Sequence, residues 1–219
     1  MKIVDACKDK RPYCASGRRG KWPAYIVLHY SGTPGASGRA LAERFAREYI
    51  EENDRQSSAH YVVDGDTVYV AVPERLAAWH VGDGKPVRSY LGYRHARAWH
   101  AGHPGFCGNR DSIGIELACD KRDLGSRRAT DPDWTISGES LRTAAELCAE
   151  ICARRDIPVS HVLRHWDATG KPCPRPLVSI PADCDNIRDD RWEAFLSVVE
   201  DKLRRRSGAP GGDDARTEA

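Results

Sequence analysis

The sequence contains no apolar run long enough to cross a membrane, and it carries almost no net charge. The longest obvious apolar run, at 25–28, is far shorter than the roughly 18 apolar residues of a membrane span. Lys and Arg total 34 and Asp and Glu total 32, which gives a formal net charge of +2. We therefore expect no membrane insertion and no nucleic-acid partner, because proteins that bind polyanions usually carry a clear positive excess.

Cysteine is too sparse for a disulfide scaffold, and no signal sequence is visible. The chain has 8 cysteines among 219 residues, and no two of them follow the Cys-x-x-Cys spacing that would indicate a second structural zinc site. Residues 1–6 include an acidic residue, and no hydrophobic region follows them, so we expect no signal peptide. These features predict a protein made in the cytoplasm, while the pairing of any disulfides stays open.

The length of the chain suits one domain with additions. Residues 1–203 contain no linker and no internal repeat with a period of about 20–50 residues, so we interpret 1–203 as a single domain. From 204 onward the sequence is rich in charged residues and glycine and lacks apolar periodicity, which predicts a disordered tail at 204–219.

Strands and helices are predicted to alternate along this domain. Residues spaced three and four apart predict helices, and β-rich apolar runs predict strands, two of them joined by an Asp-Gly turn at 64–65. The predicted strands cover 23–30, 61–63, 67–72, 113–119 and 159–165, and the predicted helices cover about 40–52, 138–155 and 192–203. This pattern indicates an α/β fold with a central mixed β-sheet flanked by helices, in which functional sites usually lie at strand ends.

The residues best suited to metal chemistry are two histidines and one cysteine. His165 follows a predicted strand, and Cys173 lies eight residues later between two prolines. Zn2+ favours imidazole and thiolate ligands, and His29, at the end of another predicted strand, is the natural third ligand. Three protein ligands would leave a position for water, as in catalytic zinc sites. On these residues alone, buried structural histidines with a cysteine that is an inert thiol or half of a disulfide explain the pattern equally well.

Five short segments favour the metal site over a purely structural role for these residues. They read Ile-Val-Leu-His-Tyr-Ser-Gly-Thr at 26–33, Ser-Ala-His-Tyr-Val-Val at 58–63, Ala-Trp-His-Val-Gly at 78–82, Ser-Ile-Gly-Ile-Glu-Leu at 112–117, and Arg-His-Trp-Asp at 164–167 with Lys-Pro-Cys-Pro at 171–174. In this order they resemble the zinc N-acetylmuramoyl-L-alanine amidases of the amidase-2 family, which includes phage endolysins, autolysins, recycling amidases and peptidoglycan-recognition proteins. The resemblance covers about 22–200, and it implies a zinc site in a groove at the strand ends.

The resemblance also implies roles for individual residues. His29, His165 and Cys173 match the zinc ligands of the family, so the implied cofactor is Zn2+. Lys171 matches the lysine that polarises the scissile carbonyl, and Glu116 matches the proposed general base. A branch of the family has a tyrosine where this chain has an alanine at 59, which favours the carboxylate of Glu116 as the general base.

Other histidines lie beside the motifs that carry the resemblance. His60 and His80 are expected beside the groove of the family, where they would contact the substrate or orient the ligands. His100 occurs in a second Trp-His sequence and competes with His80 for this place. Asp167 either orients a ligand imidazole or caps the loop that contains it.

The function implied by the resemblance is hydrolysis of the amide bond between N-acetylmuramic acid and L-alanine in peptidoglycan. We expect a monomer that acts on the bacterial cell wall after release, as a phage or prophage endolysin or an autolysin. The alternatives are a non-catalytic peptidoglycan-binding receptor and a cytoplasmic muropeptide-recycling amidase. The presence of Cys173 favours an enzyme, because receptors of this family typically lose the cysteine ligand.

Overall fold

A computed structural model describes residues 1–8, 10–104, 106–180 and 189–208 of the chain. The strands are β1 (Lys2–Asp5), β2 (Ala15–Gly17), β3 (Tyr25–Pro34), β4 (Tyr61–Asp64), β5 (Thr67–Val70), β6 (Leu76–Ala78), β7 (Ser112–Lys121), β8 (Trp134–Thr135) and β9 (Val162–Arg164). The helices are α1 (Gly38–Phe45), α2 (Tyr93–Gly102), α3 (Gly138–Arg155), α4 (His165–Thr169) and α5 (Asp190–Arg206). In the described ranges, no helix is both long and apolar enough to cross a bilayer.

Seven strands form a central mixed sheet in the order β1-β5-β4-β7-β3-β9, with β8 paired to β7, while β2 and β6 form a separate two-stranded antiparallel sheet. β3 runs parallel to both β7 and β9, and β4 runs parallel to β7, whereas β4 and β5 are antiparallel. The predicted α/β fold with a mixed sheet flanked by helices is therefore confirmed. The parallel arrangement matters for the site, because parallel strands end at the same edge of the sheet.

The main core lies between the sheet and helices α3 and α5. The predicted helix at 138–155 matches α3, which begins after Ser137, whose side chain accepts a hydrogen bond from the backbone N–H of Ser140. Cys148 and Cys152, one turn apart, are buried in this core as small apolar side chains. Cys184 lies outside the described residues.

The Asp-Gly hairpin predicted at 61–72 is confirmed by the pairing of β4 with β5. Its turn contains Gly65, which has a φ of 58°, a left-handed conformation that glycine adopts without steric cost.

The largest differences from the sequence prediction concern three helices. Helix α1 ends at Phe45 rather than near 52, and Tyr49 is 61% exposed, because only the first part of the predicted apolar stripe packs against β4. Helix α2 lies inside 85–108, where the sequence predicts only a loop. Helix α5 continues to Arg206, beyond the predicted start of the tail at 204, and residues 209–219 lie outside the described part.

A buried carboxylate joins the hairpin region to the end of α3. Glu74 accepts a hydrogen bond from the hydroxyl of Tyr61 at 2.6 Å and ion-pairs with Arg154 and Arg155, while its side chain is only 8% exposed. Burial acts to raise the pKa of Glu74, but the two arginines and the tyrosine outweigh burial and lower it to about 2 from the ordinary 4.5.

We expect Glu74 to make the folded state sensitive to acid. The unfolded chain binds a proton near pH 4.5 and the folded chain only near pH 2, so this stabilisation is complete above pH 4.5 and disappears as the pH falls toward 2. Its size is on the order of 2 to 3 kcal/mol. Urea unfolding should show that the free energy of unfolding falls less between pH 7 and pH 2.5 for Glu74→Gln than for the native chain. The exposed-site control Glu200→Gln should behave as the native chain does. Equal losses in all three proteins would contradict this assignment.

Candidate functional site

The three predicted metal ligands come together where β3 and β9 end, at one side of the sheet. His29 lies on β3, and the neighbouring register pairs Leu28 with Arg164 of β9. The next residue, His165, begins α4 rather than ending a strand, so it lies beside His29. Cys173 follows on the returning loop, which is held by a hydrogen bond of 2.9 Å from the Trp166 backbone N–H to the Cys173 carbonyl oxygen.

These three side chains form a compact buried cluster. Nδ1 of His29 lies 3.0 Å from Nδ1 of His165 and 3.8 Å from Sγ of Cys173. One potential ligand atom from each residue lies within 4.8 Å of the others, and each residue is at most 8% exposed. Two imidazoles and one thiol at this spacing fit the donor set and coordination number of a zinc site that keeps one position open.

The environment keeps these histidines neutral and the free thiol protonated. Burial lowers the pKa of both His29 and His165 well below the ordinary range, and the nearby ammonium of Lys171 adds to this effect. Burial raises the pKa of Cys173 to about 12, although Lys171 opposes the rise. Neutral imidazoles are ready to bind a metal ion, while binding to Cys173 would release the proton of the thiol.

The cluster forms part of the floor of an open groove. This groove is a cavity of about 1040 Å³, lined by the three cluster residues together with His80, Glu116 and Lys171 and by side chains from α1, the segment after β6 and the loop before β8. Trp79 and Tyr90 contribute aromatic surface to its walls. The volume is large enough for a substrate much bigger than a single sugar or amino acid.

Glu116 lies on β7 directly opposite His29 in the register of the two parallel strands. Partners in register place their side chains on the same face of a sheet, so the carboxyl group projects toward the histidine cluster. Burial raises the pKa of Glu116 to about 7, while Lys171 acts to lower it. A carboxyl group that titrates near neutral pH is suited to accept and donate a proton during a reaction.

The structure distinguishes between the candidate histidines beside the groove. His80 lines the groove, and its Nδ1 lies 3.0 Å from Nε2 of His29. His100 lies on α2, where its Nε2 is 2.7 Å from the carbonyl oxygen of Ala168, and it is not among the residues that line the groove. The geometry therefore places His80, rather than His100, at the site.

His60 lies beneath the groove rather than in it. It has no exposed surface, and its Nδ1 accepts a hydrogen bond of 2.9 Å from the Gly114 backbone N–H. Burial and the neighbouring guanidinium of Arg18 lower the pKa of His60 to about 3. The expectation of direct substrate contact therefore finds no support here, whereas a supporting role behind His80 agrees with the ring separation of 5.7 Å.

Asp167 caps helix α4, and its carboxylate contacts Arg164 and His95 rather than His29 or His165. Its carboxylate accepts a hydrogen bond from the Arg164 backbone N–H at 2.8 Å and ion-pairs with the Arg164 side chain at 2.9 Å. A third contact, 2.8 Å long, comes from Nε2 of His95 on α2. The sequence gives no signal for this contact, which ties α2 to the helix that carries His165.

Comparisons with known proteins agree with this geometry. A family model described as N-acetylmuramoyl-L-alanine amidase (Amidase_2) matches residues 19–176. The N-acetylmuramoyl-L-alanine amidase CwlL of Bacillus licheniformis is 33% identical over 188 residues, which cover 86% of this chain and 46% of that protein. The amidase XlyA of Bacillus subtilis strain 168 is 26% identical over 200 residues, covering 90% of this chain and 52% of XlyA.

A solved structure supports the fold independently. The catalytic domain of XlyA aligns with a TM-score of 0.58 and 22% identity, covering 91% of this chain and 99% of that one. The chain spans about half the length of the curated relatives it matches. Since the family model covers well over half of the chain and a relative above 30% identity spans most of it, the chain belongs to the Amidase_2 family of N-acetylmuramoyl-L-alanine amidases.

Proposed function

We propose that this protein hydrolyses the amide bond between N-acetylmuramic acid and L-alanine in peptidoglycan, with Zn2+ as its cofactor. The observation that carries this proposal is the buried cluster of His29, His165 and Cys173 on the floor of a large open groove, in a chain of this family. The peptidoglycan substrate and the resident metal belong to the proposal, as does the catalytic domain at 1–203, which the course of α5 extends to Arg206.

The side chains around the groove have different roles in the proposed reaction. Zn2+, when bound by the three ligands, supplies Lewis acidity that activates water at neutral pH. Glu116 accepts the proton of the attacking water and returns it to the departing amine of L-alanine. Lys171 presents a fixed positive charge to the carbonyl oxygen as negative charge develops on it, an interaction worth several kcal/mol in a partly desolvated site.

The biological setting that fits best is an endolysin or autolysin that reaches the cell wall after release and acts there as a monomer. The open groove supports action on polymeric cell wall, since a wide groove accommodates a cross-linked strand better than an enclosed pocket does.

The activity is tested by dye release from purified labelled peptidoglycan. We expect the native chain to release dye, to lose activity with a strong chelator and to regain it with Zn2+. The products should contain new N-terminal L-alanine, which identifies the bond that is cut. Binding to the wall without dye release would instead indicate the receptor, and new reducing ends without new N-terminal alanine would indicate a glycosidase.

Replacing Lys171 by alanine is expected to lower turnover by about two to four orders of magnitude without changing the zinc content. The reason is that Lys171 supplies charge to the reacting carbonyl but no ligand to the metal cluster. Steady-state kinetics and metal analysis of the same preparation check both parts. Lys202→Ala, on α5, is the matched control and should keep native turnover. Loss of zinc from Lys171→Ala would show that this lysine supports the ligands instead.

A further inference from the structure

We propose that His80 and Ser112 are positioning residues that fix the tautomer of His29, so that the lone pair of its Nδ1 faces His165 and Cys173. This inference rests on the proposed function for the identity of the metal, but the hydrogen bonds that carry it belong to the chain itself. Neither residue supplies an atom to the predicted ligand cluster.

A chain of hydrogen bonds runs from the cluster into the protein. Nε2 of His29 lies 3.0 Å from Nδ1 of His80, and Nε2 of His80 lies 3.1 Å from Oγ of Ser112. The hydroxyl of Ser112 in turn donates a short hydrogen bond to the carbonyl oxygen of Gly108. Three successive contacts therefore connect His29 to a backbone group.

The carbonyl oxygen of Gly108, at the end of this series of hydrogen bonds, determines which atom donates in each of them. A carbonyl oxygen can only accept, so the Ser112 hydroxyl uses its one proton on Gly108, and its oxygen accepts from the imidazole N–H of His80. A neutral His80 with its proton on Nε2 has a lone pair on Nδ1 and accepts from Nε2–H of His29. The proton of His29 is thereby held on Nε2, and its Nδ1 is left free to bind a metal.

The sheet leaves room for these hydrogen-bonded side chains and fixes their positions. Ser112 and Gly114 lie on the same face of β7 as Glu116, since alternate residues of a strand share a face. A Cβ atom at Gly114 would lie 2.6 Å from Cγ of His80, so only glycine leaves room for the ring. The backbone N–H of His80 also donates to Oδ1 of Asn109 at 3.0 Å, which fixes the main chain that carries the ring.

Without the acceptor on His80, nothing in this chain of contacts would favour the Nε2–H tautomer of His29. A proton on Nδ1 would then occupy the lone pair that faces the other ligands, and it would have to move before a metal could bind. Loss of partners that orient a metal-binding histidine commonly costs 10- to 100-fold in metal affinity. We expect an effect of about this size for His80.

The test compares His80→Ala, which removes the acceptor, with His80→Gln, whose amide oxygen can still accept from His29. Zn2+ affinity is measured by competition with a chromophoric chelator, and the His29 tautomer is measured in metal-free protein by long-range 1H–15N NMR. We expect His80→Ala to weaken Zn2+ binding about 10- to 100-fold and to lose the Nε2–H signature, and His80→Gln to recover a large part of both. Ser112→Ala should have a smaller effect in the same direction.

The control is His103→Ala, which removes a histidine at the C-terminal end of α2 that does not line the groove. This variant should bind Zn2+ as the native chain does. The inference would be overturned if His80→Ala bound Zn2+ within about twofold of the native affinity. It would also be overturned if the alanine and glutamine variants lost the same Zn2+ affinity, because this would indicate that His80 acts through packing alone. Native protein with the proton of His29 on Nδ1 would also overturn it. Failure of the proposed amidase activity is detected separately by dye release, since neither readout here depends on hydrolysis.

Discussion

Replacing Cys173 by serine is expected to abolish both Zn2+ binding and peptidoglycan hydrolysis while the fold survives. A serine hydroxyl is a poor substitute for a thiolate, which supplies both negative charge and a soft donor atom to the metal. Since loss of a residue that only orients a ligand already costs 10- to 100-fold, loss of a ligand should reduce Zn2+ affinity by more than about two orders of magnitude. The main core between the sheet and α3 does not include Cys173, so folding should not depend on it.

The measurement is zinc content per chain after gel filtration, combined with dye release and far-ultraviolet circular dichroism. Cys119→Ser is the matched control, because Cys119 packs in the same small cluster as Cys173 but contacts the hydroxyl of Ser31 at 3.0 Å instead of the histidines. It should keep one zinc ion and near-native activity. Stoichiometric zinc in Cys173→Ser at neutral pH would contradict the ligand assignment.

The sequence correctly predicted the elements whose apolar residues repeat at regular spacing or whose turns have a characteristic sequence. Helix α3 was predicted with both of its ends, because its apolar residues repeat at helical spacing from Leu141 to Cys152. The hairpin at Gly65 carries an equally local signal. Helix α1 was predicted too long, because Tyr49 continues the spacing but finds nothing to pack against.

Long-range contacts could not be predicted in this way. The contact of His95 with Asp167 joins residues 72 positions apart, and no spacing along the chain indicates it. The same limit applies to His60, whose motif predicts proximity to the site but not that β4 and β7 bury it completely. Residue chemistry suggested the three cluster residues, and the family resemblance favoured them over the structural alternative. The parallel register of β3 with β9 places His29 beside His165, and the loop after α4 returns Cys173 to them.

The change of Glu116 to glutamine is expected to lower turnover by about two to four orders of magnitude, with the zinc content unchanged. Glutamine keeps the size and polarity of the side chain but cannot take up a proton at neutral pH, so the loss reports proton transfer rather than packing. The family resemblance assigns the tyrosine of one branch to the position of Ala59, whose methyl group cannot accept a proton. We therefore expect Glu116→Gln to be more damaging than Lys171→Ala.

The pH dependence gives this prediction a second readout. A general base works only when it is deprotonated, so native activity should rise with pH through the pKa of Glu116. Burial, partly opposed by Lys171, raises that pKa to about 7, and a bound dication would lower it further, which places the rise at or below pH 7. The residual activity of Glu116→Gln should lack this rise, and the exposed-site control Glu43→Gln should retain it. If Glu116→Gln digests peptidoglycan at a near-native rate, the proton acceptor lies elsewhere and the assignment of Glu116 as the general base is wrong.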